Sequence, residues 1–169
     1  GNKNIQDNYK LQLFDERKLK LVNGIWKLNG CTGNKFIKEV NPMNMKGFTK
    51  SSIVNQVKNI INSSYIFLGY REFGNFIGKK INKFKTETNE KLKEKNIKNA
   101  LQSEFSNRLI IIDEVQNIRL SDNIEDKKVG QRLLDLTKYT DNVKLLMLSA
   151  TPMFNSYKEI IWLINILNQ

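Results

Sequence analysis

Two adjacent carboxylates, Asp113 and Glu114, follow directly on the apolar run Leu109–Ile112. A short, continuous apolar run is typical of a strand that is buried on both faces of a parallel sheet. Ligand sites of such sheets lie at the carboxyl ends of the strands, so both acids fall where a ligand is expected. An aspartate there can hold Mg²⁺ through its water ligands, and the following glutamate can orient and deprotonate an attacking water. An acidic pair that merely starts a loop is the alternative interpretation.

A second apolar run, Leu145–Leu148, ends in three small residues, Ser149, Ala150 and Thr151. The segment between the two runs has room for one helix and its connections, which predicts that the two strands are neighbours. Hydroxyl groups at the second strand tip can then hydrogen-bond the turn formed by Asp113–Gln116. Ordinary turn chemistry ahead of the next helix is the alternative.

The rest of the chain alternates segments with helical and with strand-like periodicity. Helices are predicted over residues 4–20, after a cap at Thr49 or Ser51, and over residues 71–84, 85–106, 129–139 and 157–167. Strands are predicted over residues 25–28, 65–68, 109–112 and 144–148. This alternation predicts the α/β class, as a three-layer sandwich with a mostly parallel central sheet and right-handed crossovers. We expect residues 20–48 and 85–107 to be a turn-rich and a polar insertion.

Composition excludes several functional classes. The single cysteine, Cys31, excludes an internal disulfide, and the absence of histidine excludes Cys/His zinc sites and histidine-dependent catalytic triads. No apolar run approaches a membrane span or a signal-peptide core, which indicates a soluble intracellular protein. The net charge of +11 favours a polyanionic partner, although lysines outnumber arginines 23 to 5 and AT-rich codons favour lysine.

The two strand-end motifs, taken in this order, resemble motifs II and III of superfamily 2 helicases and related translocases. Asp113–Gln116 is similar to motif II, which contains the Walker B carboxylates of DEAD/DEAH-like proteins, and Ser149–Thr151 is similar to motif III. Residues 65–73 are placed like motif Ib, and residues 4–15 resemble the helix after motif Ia. Together with residues 31–34 and 148–155, the pattern is most like the poxvirus-type early transcription factor small subunit helicases of large DNA viruses.

The resemblance implies a RecA-like lobe that uses ATP and Mg²⁺. It implies that Asp113 binds Mg²⁺ through water and that Glu114 activates the attacking water. Gln116 would couple the nucleotide site to motif III, where Ser149, Ala150 and Thr151 relay the nucleotide state.

The resemblance also implies partners. Gly69, Tyr70 and Arg71 would lie near a DNA or RNA backbone. Lys3 and Lys10 would add phosphate contacts, with a merely solvated surface as the alternative for each lysine. A second RecA-like lobe and transcription machinery are expected partners, and a viral factory, a virion or the nucleus is the expected location.

The chain departs from the family at the phosphate loop, because it contains no G-x-x-x-x-G-K-[ST] motif. The nearest stretch, Gly74–Lys80, has three residues between its glycines and is predicted to be helical. In the family, the phosphate loop precedes the matching region and the second lobe follows it. We therefore expect most of a first motor lobe, cut at both ends and inactive alone.

Two other functions remain open at this stage. An AAA+ type ATPase also places Asp-Glu after an apolar strand, but its sensor strand usually ends in a single Asn or Thr. The second alternative is a degenerate motor lobe that serves as a basic, non-catalytic scaffold for nucleic acid. The intact pair of Asp113 and Glu114 argues against the scaffold, which gains little from two carboxylates at a sheet edge.

Overall fold

The computed structural model describes residues 3–30, 32–118, 124–153 and 157–168, and of residues 124–127 the backbone alone. Cys31 and the end of the predicted motif III segment, Phe154 and Asn155, lie outside the described residues. The chain divides into two compact units, Gly1–Leu68 and Gly69–Gln169, each with its own apolar core. Within the described ranges, no helix is long and apolar enough to cross a membrane.

The first unit contains α1 (Lys3–Leu13), β1 (Leu19–Val22), β2 (Ile25–Leu28), α2 (Asn34–Val40) and α3 (Lys50–Ser64). β1 and β2 form an antiparallel hairpin, which confirms the predicted strand over residues 25–28. Asn23 and Gly24 turn the hairpin with φ angles of 52° and 79°, the backbone that favours Asn-Gly.

The predicted helix over residues 4–20 is wrong beyond Leu13. The Asp15 side chain accepts the Arg17 N–H and so caps a separate single turn, Glu16–Lys18. The chain then enters β1, whose Leu19 is buried opposite Leu28. Local capping by Asp15 therefore interrupts the helical periodicity.

The helix after Thr49 is confirmed as α3, and the strand predicted over residues 65–68 is wrong. Thr49 Oγ1 accepts the Ser52 N–H at 3.2 Å, an N-cap of the expected kind. The backbone at Tyr65 is extended, but no strand of the described chain pairs with it. The Tyr65 ring instead packs against Phe36 and Phe67, with centroid distances of 6.3 and 6.2 Å.

The second unit contains α4 (Tyr70–Asn82), α5 (Glu90–Phe105), β3 (Leu109–Ile112), α6 (Ile124–Tyr139), β4 (Lys144–Met147) and α7 (Tyr157–Leu167). β3 and β4 pair in parallel, with Leu109 opposite Lys144 and Ile112 opposite Met147. The α/β class and the predicted neighbouring strands are therefore confirmed. The helical interpretation of Gly74–Lys80 is also confirmed, because this stretch lies inside α4.

The residues that the structure describes cover one face of the parallel ladder. Ile110, Ile112, Leu145 and Met147 pack with the core residues of α6 and α7. The alternate residues point the other way, and Leu109, Ile111 and Leu146 are 60%, 54% and 44% exposed. The prediction of burial on both faces is therefore wrong, and the described residues place no third layer on that side. The two predicted insertions stay predictions.

Candidate functional site

The two predicted acids lie in the turn that ends β3. Asp113 is half-buried and Glu114 is exposed. Glu114 has φ of 53°, a left-handed conformation that is uncommon for residues other than glycine. The Val115 N–H donates to the Leu148 carbonyl at 3.0 Å, and the Leu148 N–H donates to the Ile112 carbonyl at 2.8 Å. Main-chain hydrogen bonds therefore join the turn Asp113–Gln116, which we call the acidic turn, to the carboxyl end of β4.

A series of hydrogen bonds joins the side chains of the two motifs. Ser149 Oγ donates to Gln116 Oε1 at 2.6 Å, and Gln116 Nε2 donates to the Glu114 carboxylate. The Thr151 N–H donates to Ser149 Oγ at 3.1 Å. The structure thus brings together Glu114, Gln116, Ser149 and Thr151, while Ala150 lies exposed between the last two.

The Asp113 carboxylate is the group in the acidic turn that could hold a cation. Its carboxylate forms no hydrogen bond or ion pair with another residue that the structure describes. The described part of the chain has no group of three or more His, Cys, Asp or Glu side chains that could enclose a metal. One carboxylate at an open sheet edge suits Mg²⁺, which keeps several of its waters and takes further oxygen ligands from phosphates.

Tyr70 contacts the acidic turn from the first position of α4. Its hydroxyl donates to the Asp113 carbonyl and lies 3.1 Å from the Glu114 carbonyl. Burial raises the pKa of the Tyr70 phenol, a hydrogen bond from the Asn117 side chain opposes this, and the two nearby carboxylates raise it further. The phenol therefore remains a proton donor at neutral pH. Nothing in the sequence predicted this contact, because Tyr70 lies 43 residues before Asp113.

The other predicted nucleic-acid residues fall in two places. Gly69 precedes α4, and its N–H donates to the Glu72 carboxylate at 2.7 Å, which caps the helix. Arg71 is exposed on the first turn of α4, next to Tyr70. Lys3 and Lys10 lie exposed on α1 in the first unit, where the Lys10 ammonium is 5.5 Å from the Phe67 ring centroid.

Comparison with known proteins finds two viral relatives. A protein of Acanthamoeba polyphaga mimivirus that carries the name of an ATP-dependent RNA helicase is 32% identical over 163 residues, which cover 89% of this chain and 13% of that protein. A protein of Invertebrate iridescent virus 3 that carries the name of a helicase is 33% identical over 69 residues, 41% of this chain and 7% of that protein.

The chain therefore spans only a small part of the length of these relatives. No family model matches the chain. No solved structure matches it. The sequence likeness to the mimivirus protein extends over most of this chain. We call the acidic turn Asp113–Gln116, together with Ser149 and Thr151 after β4, the strand-end site. The chain is related to viral proteins that are named as helicases.

Proposed function

We propose that this chain forms part of the ATP-hydrolysing lobe of a viral, nucleic-acid-dependent ATPase of the superfamily 2 helicase type. The observation that carries the proposal is the hydrogen-bonded series from Ser149 through Gln116 to Glu114. It joins two separate motifs at the carboxyl edge of a parallel sheet, where α/β proteins bind ligands. The relationship to viral helicases supports the same function.

The proposal includes a RecA-like arrangement. The parallel pair β3 and β4, connected through α6, is consistent with a piece of such a sheet. Viral transcription is the proposed setting, because the motif pattern resembles early transcription factor helicases. DNA or RNA and a second RecA-like lobe are the proposed partners.

The chemistry follows from the two acids. Asp113 would hold Mg²⁺ through water, and the ion, when bound, would neutralise charge on the phosphates of ATP. Glu114 would accept the proton of the water that attacks the terminal phosphate, as a general base. Gln116 donates to the Glu114 carboxylate, so it controls the direction of that base and its access to water.

Nucleic acid would act on this site through the start of α4. Gly69, Tyr70 and Arg71 are the proposed backbone contacts, and the Tyr70 hydroxyl bonds the main chain of the acidic turn. Arg71 follows Tyr70 in the sequence. A nucleic-acid backbone bound at Arg71 would therefore lie next to the residue whose hydroxyl contacts Asp113. Lys3 and Lys10 remain proposed phosphate contacts of the first unit.

The phosphates of ATP need further ligands, since these 169 residues contain no G-x-x-x-x-G-K-[ST] loop. We therefore propose that the chain alone does not turn over ATP. The activity belongs to a protein that supplies a phosphate loop in addition to this site.

The test compares the full-length gene product with its Glu114→Gln variant, with and without single-stranded DNA or RNA. Glu114→Gln should lower kcat by about 10²-fold or more, the contribution of a general base, while ATP binding is retained. Glu90→Gln makes the same chemical change on the exposed first turn of α5 and should leave kcat unchanged. Equal turnover by all three proteins would contradict the assignment of Glu114. A full-length protein that binds nucleic acid without any ATPase activity would instead support the scaffold function.

A further inference from the structure

The positive charge of the second unit is concentrated in one segment. Residues 79–98 contain eight lysines and three glutamates, whereas the remainder of residues 69–169 contains nine basic and ten acidic side chains. A codon bias towards lysine would act on the whole unit alike. The segment at the end of α4 and along α5 therefore has a charge that composition alone does not explain.

Part of this segment lines a groove between α5 and α6. Lys91, Lys95 and Lys98 are spaced by four and three residues, so they lie along one face of α5. With Glu94 of α5 and with Lys138 and Tyr139 of α6, they line a groove of about 450 Å³. We call this surface the α5 groove.

The three lysines of α5 are available to a ligand. Lys91, Lys95 and Lys98 form no ion pair with any residue that the structure describes. Among the described residues that line the groove, Glu94 is the only acid. It already forms an ion pair with Lys138 Nζ at 3.5 Å and accepts a hydrogen bond from the Tyr139 hydroxyl at 3.1 Å. Asp141 follows the end of α6, and its carboxylate accepts a hydrogen bond from the Gln102 amide.

The α5 groove and the strand-end site lie at opposite edges of the sheet. α6 ends at Tyr139, shortly before β4 begins at Lys144. The N–H of Asn107, just ahead of β3, donates to the Asp141 carbonyl at 3.3 Å. The groove therefore flanks the amino ends of both strands, whereas the acidic turn follows the carboxyl end of β3.

We propose that the α5 groove binds the sugar-phosphate backbone of nucleic acid, as a second contact remote from the strand-end site. Lys91 and Lys98 are about 10 Å apart along the helix axis, so the row of lysines can contact more than one phosphate of a strand. Lysine ammonium groups act as point charges towards phosphates, and phosphate contacts carry no sequence information directly. Among the described lining residues the aromatic ring is that of Tyr139. It packs against the buried cluster around Leu101 and Leu136, and the Lys138 ammonium lies 4.6 Å from its centroid, so it offers no free face for stacking. The binding is therefore independent of sequence.

An acidic protein is a poorer fit to the same groove. Stable protein interfaces are anchored by buried aromatic, arginine or aliphatic side chains at their centre. The groove presents lysines and a tyrosine whose hydroxyl and ring are both engaged within the protein.

The test measures binding of the 169-residue chain to labelled single-stranded DNA and RNA of mixed sequence, by fluorescence anisotropy at 50–200 mM KCl. The variant is the triple substitution Lys91→Gln, Lys95→Gln, Lys98→Gln. The matched control is Lys20→Gln, Lys35→Gln, Lys38→Gln, which removes three exposed lysines from the first unit. Circular dichroism and thermal melting establish that both triples remain folded.

The α5 triple should bind at least tenfold more weakly at 100 mM salt. The slope of log affinity against log salt should become less steep by about 2, because each lost phosphate contact contributes about 0.7. The control triple should change affinity less than threefold. Equal losses in both triples, or none in the α5 triple, would overturn the proposal. Displacement by polyglutamate as effective as by unlabelled oligonucleotide would also overturn it.

The inference rests on the proposed function only for the class of ligand. The variant Arg71→Gln distinguishes failure of the α5 groove from failure of the nucleic-acid contact proposed at the start of α4. If the α5 triple binds like the unmodified chain while Arg71→Gln binds weakly, the α5 groove is refuted and the proposed contact at Arg71 stands. If only the α5 triple binds weakly, the groove is supported and the contact at Arg71 is refuted.

Discussion

The Tyr70 hydroxyl lies 3.1 Å from the backbone carbonyl of Glu114 and donates to the neighbouring carbonyl of Asp113. Glu114 has a left-handed backbone, which costs about 1–2 kcal/mol for a residue with a side chain. The phenol therefore helps to stabilise the conformation that sets the direction of the Glu114 carboxylate. It also ties the first turn of α4 to the end of β3.

Replacing Tyr70 by phenylalanine tests this contact. Tyr70→Phe keeps the packed ring and removes the donor, so we expect a loss of about 1 kcal/mol in the free energy of unfolding. Faster amide hydrogen exchange at Val115 should accompany it, because the turn loses its anchor. Urea unfolding and hydrogen exchange measure the two effects. Tyr65→Phe, at an exposed ring of the first unit, is the control, and an equal loss there would refute the role of the Tyr70 hydroxyl.

The bond between Ser149 and Gln116 predicts energetic coupling between the two motifs. Ser149→Ala and Gln116→Ala should each destabilise the second unit, and the double variant should cost less than the sum of the two. We expect a coupling energy of about 1 kcal/mol from a double-mutant cycle in urea. Pairing Gln116→Ala with Thr140→Ala, whose hydroxyl bonds Leu136 instead, should give no coupling. Strict additivity of Ser149→Ala and Gln116→Ala would contradict the observed contact.

Asp15 makes the first unit sensitive to acid. A side-chain hydrogen bond from Arg17 is the main cause that lowers the pKa of Asp15 from 3.8 to about 2, against an opposing effect of burial. Because the folded pKa lies below the unfolded value of about 3.9, the ionised carboxylate stabilises the fold above pH 4. This contribution is lost as the pH falls from about 4 to 2.

Urea midpoints between pH 2 and 6 measure the effect. Asp15→Asn should flatten the pH dependence of stability of the first unit in this window. Asp7→Asn, at an exposed position of α1, should leave the pH dependence as it is. An unchanged acid transition in Asp15→Asn would contradict the assignment.

Gly33 is expected to tolerate no side chain. Its φ is 86°, and a Cβ would lie 2.4 Å from Leu28 Cδ2 and 2.9 Å from the Leu13 carbonyl oxygen. Gly33→Ala should therefore lower the unfolding free energy by about 3 kcal/mol, from backbone strain and from the overlap with Leu28. Gly47→Ala is a matched control, since its φ is 92° and no atom lies within 4 Å of the added Cβ. That variant should lose about 1 kcal/mol, and equal losses would show that packing at Gly33 does not matter.

Local signals in the sequence were sufficient for the elements that carry the site. The apolar runs that became β3 and β4 are flanked by polar residues, and their order and spacing predicted a neighbouring parallel pair. Thr49, a residue type that favours the N-cap position, predicted the start of α3. The proximity of the Asp113–Gln116 turn to Ser149 also followed from the topology of parallel strands, without any knowledge of side-chain positions.

Features that depend on a distant partner could not be predicted in this way. The run over residues 65–68 has strand-like composition, but a strand needs a neighbour, and composition does not show whether one is present. Leu109 and Ile111 are as apolar as Ile110 and Ile112, so nothing local indicated that one face of the ladder is exposed. The bond from Tyr70 to the acidic turn spans 43 residues and leaves no periodic signal.

Two main-chain hydrogen bonds, from Val115 to Leu148 and from Leu148 to Ile112, join the acidic turn to the end of β4. The side-chain hydrogen bonds at this edge can change without breaking these main-chain bonds. Rotation of the Gln116 amide, on the order of nanoseconds for a side chain with access to solvent, would free the Glu114 carboxylate without moving either strand. A ligand that competes for the hydrogen bonds of this amide would therefore release the Glu114 carboxylate while both main-chain bonds stay in place.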